Sequence, residues 1–214
     1  MDLLEEAMER YEIEERDTKR KKVESYIQMM TLRRRWAGLV SKSMAGKPEE
    51  AIADSIGVIG AIGGTEGKAV VDIGSGSGLL GLVLALMCPD WEVSLVESSG
   101  RKCAFLAEAK SALELGNVSV LRARAESIVG AREYDVAVSR AAGTITRMAP
   151  VALGLLRGGG RYVALKRSDI EAEVEEAKPL LRELGGELVG IIHPGFLPDR
   201  EAPGRTSLVV IDKM

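Results

Sequence analysis

Hydrophobic positions along the chain divide it into two regions. Leu3, Leu4, Ala7, Met8 and Tyr11 recur at helical spacing, and Val23, Tyr26, Ile27 and Met30 repeat the pattern, so residues 1 to about 60 read as two or three short helices. From Lys68 onward, short apolar runs alternate with longer amphipathic segments, the signature of βα units around a parallel sheet. The runs place strands near 68–73, 92–97, 117–122, 134–139 and 160–166, with helical periodicity over 78–88, 99–115, 145–156 and 169–184. Gly116, the run Gly158 to Gly160 and Gly185 stand where helices are expected to end. The last two apolar runs, 187–193 and 207–212, have no helix between them and read as an antiparallel pair joined by a long Pro- and Gly-rich connection. The expectation is an α/β chain: a helical extension over 1–60, then a Rossmann-like domain over 61–214 whose seven-stranded, mostly parallel sheet ends in an antiparallel strand.

One turn interrupts that regularity. "DIGSGSGLLG", Asp72 to Gly81, closes the first strand and opens a helix, where a Rossmann-type fold brings a ligand against glycine backbone and a helix N-terminus. Gly76 to Gly81 satisfies G-x-G-x-x-G, a weak signal for a dinucleotide by itself. Asp72 changes the reading, because a carboxylate before the glycines repels a pyrophosphate and favours an ammonium or sulfonium. S-adenosylmethionine carries both. Glu97, at the end of the second strand, is placed to accept from ribose hydroxyls, as in nicotinamide enzymes too. The terminal antiparallel pair again favours a methyltransferase. The plainer reading has the glycines making a tight, closely packed turn with Asp72 capping the helix.

Composition changes the picture little. Of 214 residues, 46% are hydrophobic and 29% charged, an ordinary globular balance, and aromatics at 4% leave little for a stacking platform. Cys88, Cys103 and the single His193 have no metal-ligand spacing, so no metal is expected. The acidic N-terminus lacks an apolar signal core and no run reaches ~20 apolar residues, so a cytoplasmic protein with no membrane partner is expected. Charge distribution matters more than the net value of -3: Arg16 to Lys47 holds ten bases against two acids. Lys19, Arg20, Lys21, Lys22, Arg33, Arg34 and Arg35 form either an RNA-facing patch or a solvated helix face.

Missing motifs narrow the acceptor. After the fourth strand stands "VSRAAGT" and no Asn/Asp-Pro-Pro-aromatic tetrapeptide for exocyclic amines. Neither cysteine lies near strand four or five to attack cytosine C5; both read as small core residues. Guanine N7 remains, since its in-plane lone pair carries no proton and needs only positioning. Arg140 and Lys166, after strands four and five, are the candidates for base, phosphate or cofactor contact, or else surface charges at strand ends.

"RRRWAG", "ADSI", "VVDIGSGSGLLGLVLAL", "LVESSGRKCAFL", "RARAES", "DVAVSRA", "RYVALKR" and "GRTSLVVIDK", in this order, resemble the 16S ribosomal RNA guanine-N7 methyltransferase family, also called glucose-inhibited division protein B, over most of the chain. The resemblance implies S-adenosylmethionine as cofactor, with Gly74, Ser75, Gly76, Gly78 and Leu79 beside Asp72 lining its pocket, Glu97 on the ribose, and Ala125 and Glu126 at the adenine. It places Arg140 in the catalytic mouth and turns Lys166 and Arg205 toward cofactor or RNA. It implies a monomer that acts on 16S rRNA or the 30S subunit. Ala51 stands where the family usually has histidine, Leu79-Leu80 replaces Phe-Pro, and Arg167 replaces glycine. Two other readings stay open: a class I methyltransferase with a small-molecule or protein acceptor, and an RNA-binding relative without catalysis. A nicotinamide oxidoreductase is opposed by Asp72.

Overall fold

The computed structural model describes residues 3–37, 48–63, 66–140, 142–167, 170–194 and 206–214, with the side chains of 34–37 and 167 left out. Three helices come first: α1 (Leu3–Arg10), α2 (Arg16–Ala37) and α3 (Pro48–Ile62). Alternation follows, through β1 (Ala69–Ile73), α4 (Gly81–Met87), β2 (Glu92–Glu97), α5 (Gly100–Ala112), β3 (Val118–Arg122), a 3-10 turn (Ala125–Ile128), β4 (Tyr134–Arg140), α6 (Ile145–Leu155), β5 (Leu156–Arg167) and α7 (Glu171–Glu183). β6 (Gly186–Ile192) and β7 (Thr206–Lys213) close the chain.

The strands form one sheet in the order β3-β2-β1-β4-β5-β7-β6. β7 enters antiparallel between β5 and β6, and the other pairings are parallel. Period-two alternation sorts the strand residues between two faces. Val70, Val93, Leu95, Val136, Val163 and Val210 meet the layer of α1 to α5. Val71, Ile73, Val96, Ala137, Tyr162 and Val209 meet α6 and α7. Both faces are covered, which explains the continuous apolar runs seen in the sequence.

α4 is buried along its whole length because α2 and α3 lie over it where solvent would otherwise be. A buried helix end needs partners for its last carbonyls. Asn117 Nδ2 donates to Ala85 O (3.0 Å) and Trp91 O (2.9 Å), while Lys19 Nζ donates to Met87 O (3.2 Å). Lys22 Nζ does the same for α5, donating to Leu113 O at 2.8 Å. Lys19 and Lys22 thus depart from the expected RNA-facing role and act as helix caps. Lys19 is 8% exposed and Lys22 is held against α5, so both ammonium groups offset helix C-terminal dipoles, the first of them inside the protein. Arg20 pairs with Glu5 and Glu24, and Arg33 with Glu108. Lys21 is exposed and makes no ion pair among the described residues. The side chains of Arg34 and Arg35, and all of Arg205, lie outside the described residues, as does most of the long connection before β7.

The glycine run after α6 also differs from expectation. α6 ends at Leu155 and Leu156 already pairs with Tyr134, after which the register shifts so that Arg161 faces Val136. Gly159, at φ +75°, supplies the left-handed residue that lets β5 bulge and resume.

Candidate cofactor site

Parallel strands leave from β1 toward β2 on one side and toward β4 on the other, so the carboxyl end of β1 is the switch point where the following loops part and open a crevice. The glycine turn sits there. Gly74 N–H and Ser75 N–H both donate to Val96 O, at 2.9 and 3.0 Å, which ties the turn to the end of β2. Gly74, Gly76 and Gly78 have φ of +71°, +59° and +83°, in the left-handed region that favours glycine.

Their surroundings separate these glycines into two kinds. A Cβ on Gly74 would meet only Ala142 Cβ at 3.8 Å, and one on Gly76 only Gly74 O at 3.8 Å, so the space over both is open to a ligand. A Cβ on Gly78 would instead fall 2.5 Å from Leu82 and 2.7 Å from Leu106, and Gly78 N–H already donates to Ser75 O at 2.7 Å. Gly78 is therefore a packing glycine rather than part of the open floor, and Leu79, 3% exposed, is equally turned inward. Gly78→Ala should lower stability by roughly 2 kcal/mol, from overpacking added to a strained left-handed alanine. The urea midpoint reads this, and an unchanged midpoint would contradict the packing argument.

Glu97 faces the open glycines. Its carboxylate, 7% exposed, accepts from Gly76 N–H at 3.0 Å through Oε2 and from Ser99 N–H at 2.8 Å through Oε1, with Lys102 Nζ 3.8 Å away. An ionised carboxylate has about four acceptor positions. Two are used by the backbone, leaving the others for ligand hydroxyls. Ala123 N–H donates to Glu97 O at 3.2 Å, so the segment carrying Ala125 and exposed Glu126 starts beside the same strand end. The floor, the acceptor and the adjoining turn fit an adenosyl group.

Asp72 does not point at this space. It is 1% exposed and its Oδ2 accepts from Gly81 N–H at 3.1 Å, the first residue of α4, while its backbone oxygen takes the Ser75 hydroxyl at 2.9 Å. The helix-capping alternative describes this geometry. Burial pushes its carboxyl up to about 7, against the lowering effect of the Gly81 and Ser75 bonds. A carboxyl raised in the folded state from 3.8 contributes stability that is fully present below about 4 and lost as pH rises through about 7. Asp72→Asn keeps an acceptor for Gly81 and removes the charge. Between pH 4 and 7 its stability should therefore gain on wild type by on the order of 1 kcal/mol per unit, read from urea unfolding at four pH values. Parallel pH profiles would contradict it.

Arg140 and Lys166 are both engaged. Arg140 turns toward α3: Nη1 donates to Ala51 O at 3.0 Å and lies 3.4 Å from Ser55 Oγ, and Nη2 lies 3.7 Å from buried Asp54, which accepts from Thr206 Oγ1 at 2.6 Å. The side chain is 15% exposed. Where the family usually has histidine, Ala51 thus contributes its carbonyl. Lys166 Nζ donates to Gly143 O and to Glu173 (2.7 Å), whose carboxylate also accepts from Ile145 N–H, the start of α6. Two contributors escaped the sequence reading. Tyr26 of α2, 1% exposed, donates its hydroxyl to Ser77 O at 2.7 Å and so supports the glycine turn from the helical extension. Asp54 was visible only as part of "ADSI". The described residues contain no cluster of metal-ligating side chains, and none of their helices is long and apolar enough to cross a membrane.

A seven-stranded sheet with an inserted antiparallel strand, and a glycine turn answered by an acid at the next strand end, define the class I S-adenosylmethionine-dependent methyltransferase fold. Solved structures share it: M. jannaschii TYW2 in complex with AdoMet matches with TM-score 0.58 at 19% identity, covering 81% of this chain and 76% of that one. A SAM-dependent O-methyltransferase from Thermotoga maritima matches with TM-score 0.59 at 19% identity, covering 75% and 64%. Within that class the chain belongs to the rRNA small subunit methyltransferase G family, whose model matches residues 19–192. Two proteins named ribosomal RNA small subunit methyltransferase G are similar to it. The one from Pseudarthrobacter chlorophenolicus is 40% identical over 130 residues, 61% of this chain and 60% of the relative. That from Roseiflexus castenholzii is 40% identical over 147 residues, 66% and 61% respectively. The matched segment thus spans about three-fifths of the length of these relatives.

Proposed function

We propose that this protein transfers a methyl group to N7 of a guanine in small-subunit ribosomal RNA. The observation that carries the reading is Glu97, a buried carboxylate with acceptor capacity to spare, facing two open left-handed glycines in a chain of this family. Gly74 and Gly76 would receive the cofactor against bare backbone, Glu97 would hold its ribose, and Ala125 and Glu126 would flank its adenine. S-adenosylmethionine, when bound, supplies an electrophilic methyl on a sulfonium. The protein's own work is positioning: N7 carries no proton, so no side chain has to remove one before attack. Lys166 donates to two acceptors here and has a third N–H for guanine O6 or a backbone phosphate. Arg140, tied to α3, would shape the mouth through that helix rather than reach the base freely. Asp72 would act on the cofactor at one remove, by fixing the turn through Gly81 N–H. The action is in the cytoplasm, where ribosomal subunits are made.

The test is transfer of labelled methyl from S-adenosylmethionine to 30S subunits from a strain lacking this protein, with the modified base identified by mass spectrometry. Label confined to one N7-methylguanine is expected. Label on another base, on ribosomal protein or on nothing would overturn the proposal, the first two pointing to another class I acceptor.

A further inference from the structure

Apart from Arg140, which turns inward to Asp54, the described arginines at the two ends of the parallel strands are treated differently. At the amino end, Arg132 pairs with Glu92 (2.8 Å), Arg161 with Asp212 (2.6 Å), and Arg157 with Asp135. Exposure does not prevent this, since the Arg132 and Arg157 side chains are 48% and 62% exposed. At the carboxyl end, Arg101 lies in the first turn of α5, Arg122 ends β3, Arg124 precedes the 3-10 turn and Arg147 lies in the first turn of α6. All four are exposed, and among the described residues none makes an ion pair.

The neighbouring structure adds positive potential rather than relieving it. Arg122 is paired in register with Glu97, and its guanidinium lies over Gly100, where a Cβ would come 3.0 Å from Cζ. Gly100 is the first residue of α5, a helix whose N-cap Ser99 makes no side-chain cap bond and whose first turn carries no acid. The Glu97 carboxylate is already shared among Gly76, Ser99 and Lys102. An exposed arginine beside the positive end of a helix, with no ion pair of its own, costs free energy unless an anion completes it. Arg147 is placed across the crevice, next to Gly143 after β4.

We infer that Arg101, Arg122, Arg124 and Arg147, unpaired on the carboxyl rim of the sheet, are the phosphate-binding surface that seats the RNA backbone around the cofactor crevice. Of the α2 lysines first suspected of that role, Lys19 and Lys22 are occupied as helix caps, while the rim cations have spare donors and border the opening. Guanidinium groups suit phosphate because they donate in a planar fork. The inference rests on the rRNA reading of the crevice and assigns it a partner surface.

The test compares two triple variants of the full chain. In the first, Arg101, Arg124 and Arg147 are changed to Ala. Arg122 is kept because it adjoins Glu97. In the second, Arg132 and Arg157 from the amino end and Lys21 from α2 are changed to Ala, removing the same charge. Binding to a 16S rRNA fragment is measured as a function of salt, with S-adenosylmethionine affinity measured by calorimetry. The rim variant should lose about tenfold or more in RNA affinity, and the slope of log K against log salt should fall by about 2, at ~0.7–0.9 per lost phosphate contact. Its cofactor affinity should equal wild type, and the second variant should retain the wild-type slope. An unchanged rim slope, or an equal loss in both variants, would overturn the inference even if wild type methylates 30S subunits. Failure of wild type to methylate them would instead refute the functional reading, and the slope comparison would still decide the rim.

Discussion

Glu97→Ala should weaken S-adenosylmethionine binding by about 100-fold or more, roughly 3 kcal/mol. Two losses combine. The ligand loses the acceptor for its hydroxyls, and the free protein loses the acceptor that holds Gly76 N–H at 3.0 Å and Ser99 N–H at 2.8 Å. Released from Glu97, Gly76 loses its tie to β2 while Gly74 and Ser75 keep theirs to Val96 O, so the open floor over Gly74 and Gly76 is less well preorganised. Glu97→Gln separates the losses. Its one carbonyl oxygen keeps one backbone bond, but the NH₂ faces the other N–H, so an intermediate Kd is expected with near-native melting. Calorimetric titration of each folded variant makes the measurement. If Glu97→Ala bound the cofactor as wild type does, the crevice at the end of β1 would not be its site.

How far these features could be read beforehand depends on how local their causes are. The strand at 92–97 was placed without error and the others lay within a few residues of the observed ends. In β1, β2, β4 and β7 successive side chains are buried on both faces, so apolar runs mark these strands whatever their neighbours. The glycine turn was equally legible, because left-handed φ values restrict residue type. The basic run on α2 was ambiguous for the opposite reason: what Lys19 caps is Met87, 68 residues away, and nothing near Lys19 in the chain records it. Arg140 shows the same limit, meeting Ala51 across 89 residues. Asp72 lay between. Its spacing from the helix start allowed a cap or a ligand contact, and only burial decides for the cap.

That distant meeting makes Arg140 the residue whose loss should cost most in stability. Arg140→Ala removes the guanidinium from beside Asp54, a carboxylate whose side chain is 2% exposed, and takes one donor from Ala51 O, which keeps the Ser55 hydroxyl. Removing one partner of a buried ion pair costs ~3–5 kcal/mol, because the remaining charge stays desolvated. Here the geometry is moderate, 3.7 Å rather than a close fork, and Thr206 still donates to Asp54, so the lower end, about 3 kcal/mol, is expected in urea unfolding. Asp54→Asn in the same chain should return a large part of it, since the amide needs no countercharge and still accepts from Thr206. The double variant also separates the tie from catalysis. An arginine that only anchors α3 predicts that restored stability brings methyl transfer back toward wild type. An arginine that touches the reacting base predicts a stable protein whose kcat stays low while its cofactor affinity is normal. Full stability in Arg140→Ala alone would mean that α3 is held by its apolar contacts, and the polar bridge from β4 to Asp54 would have no structural weight.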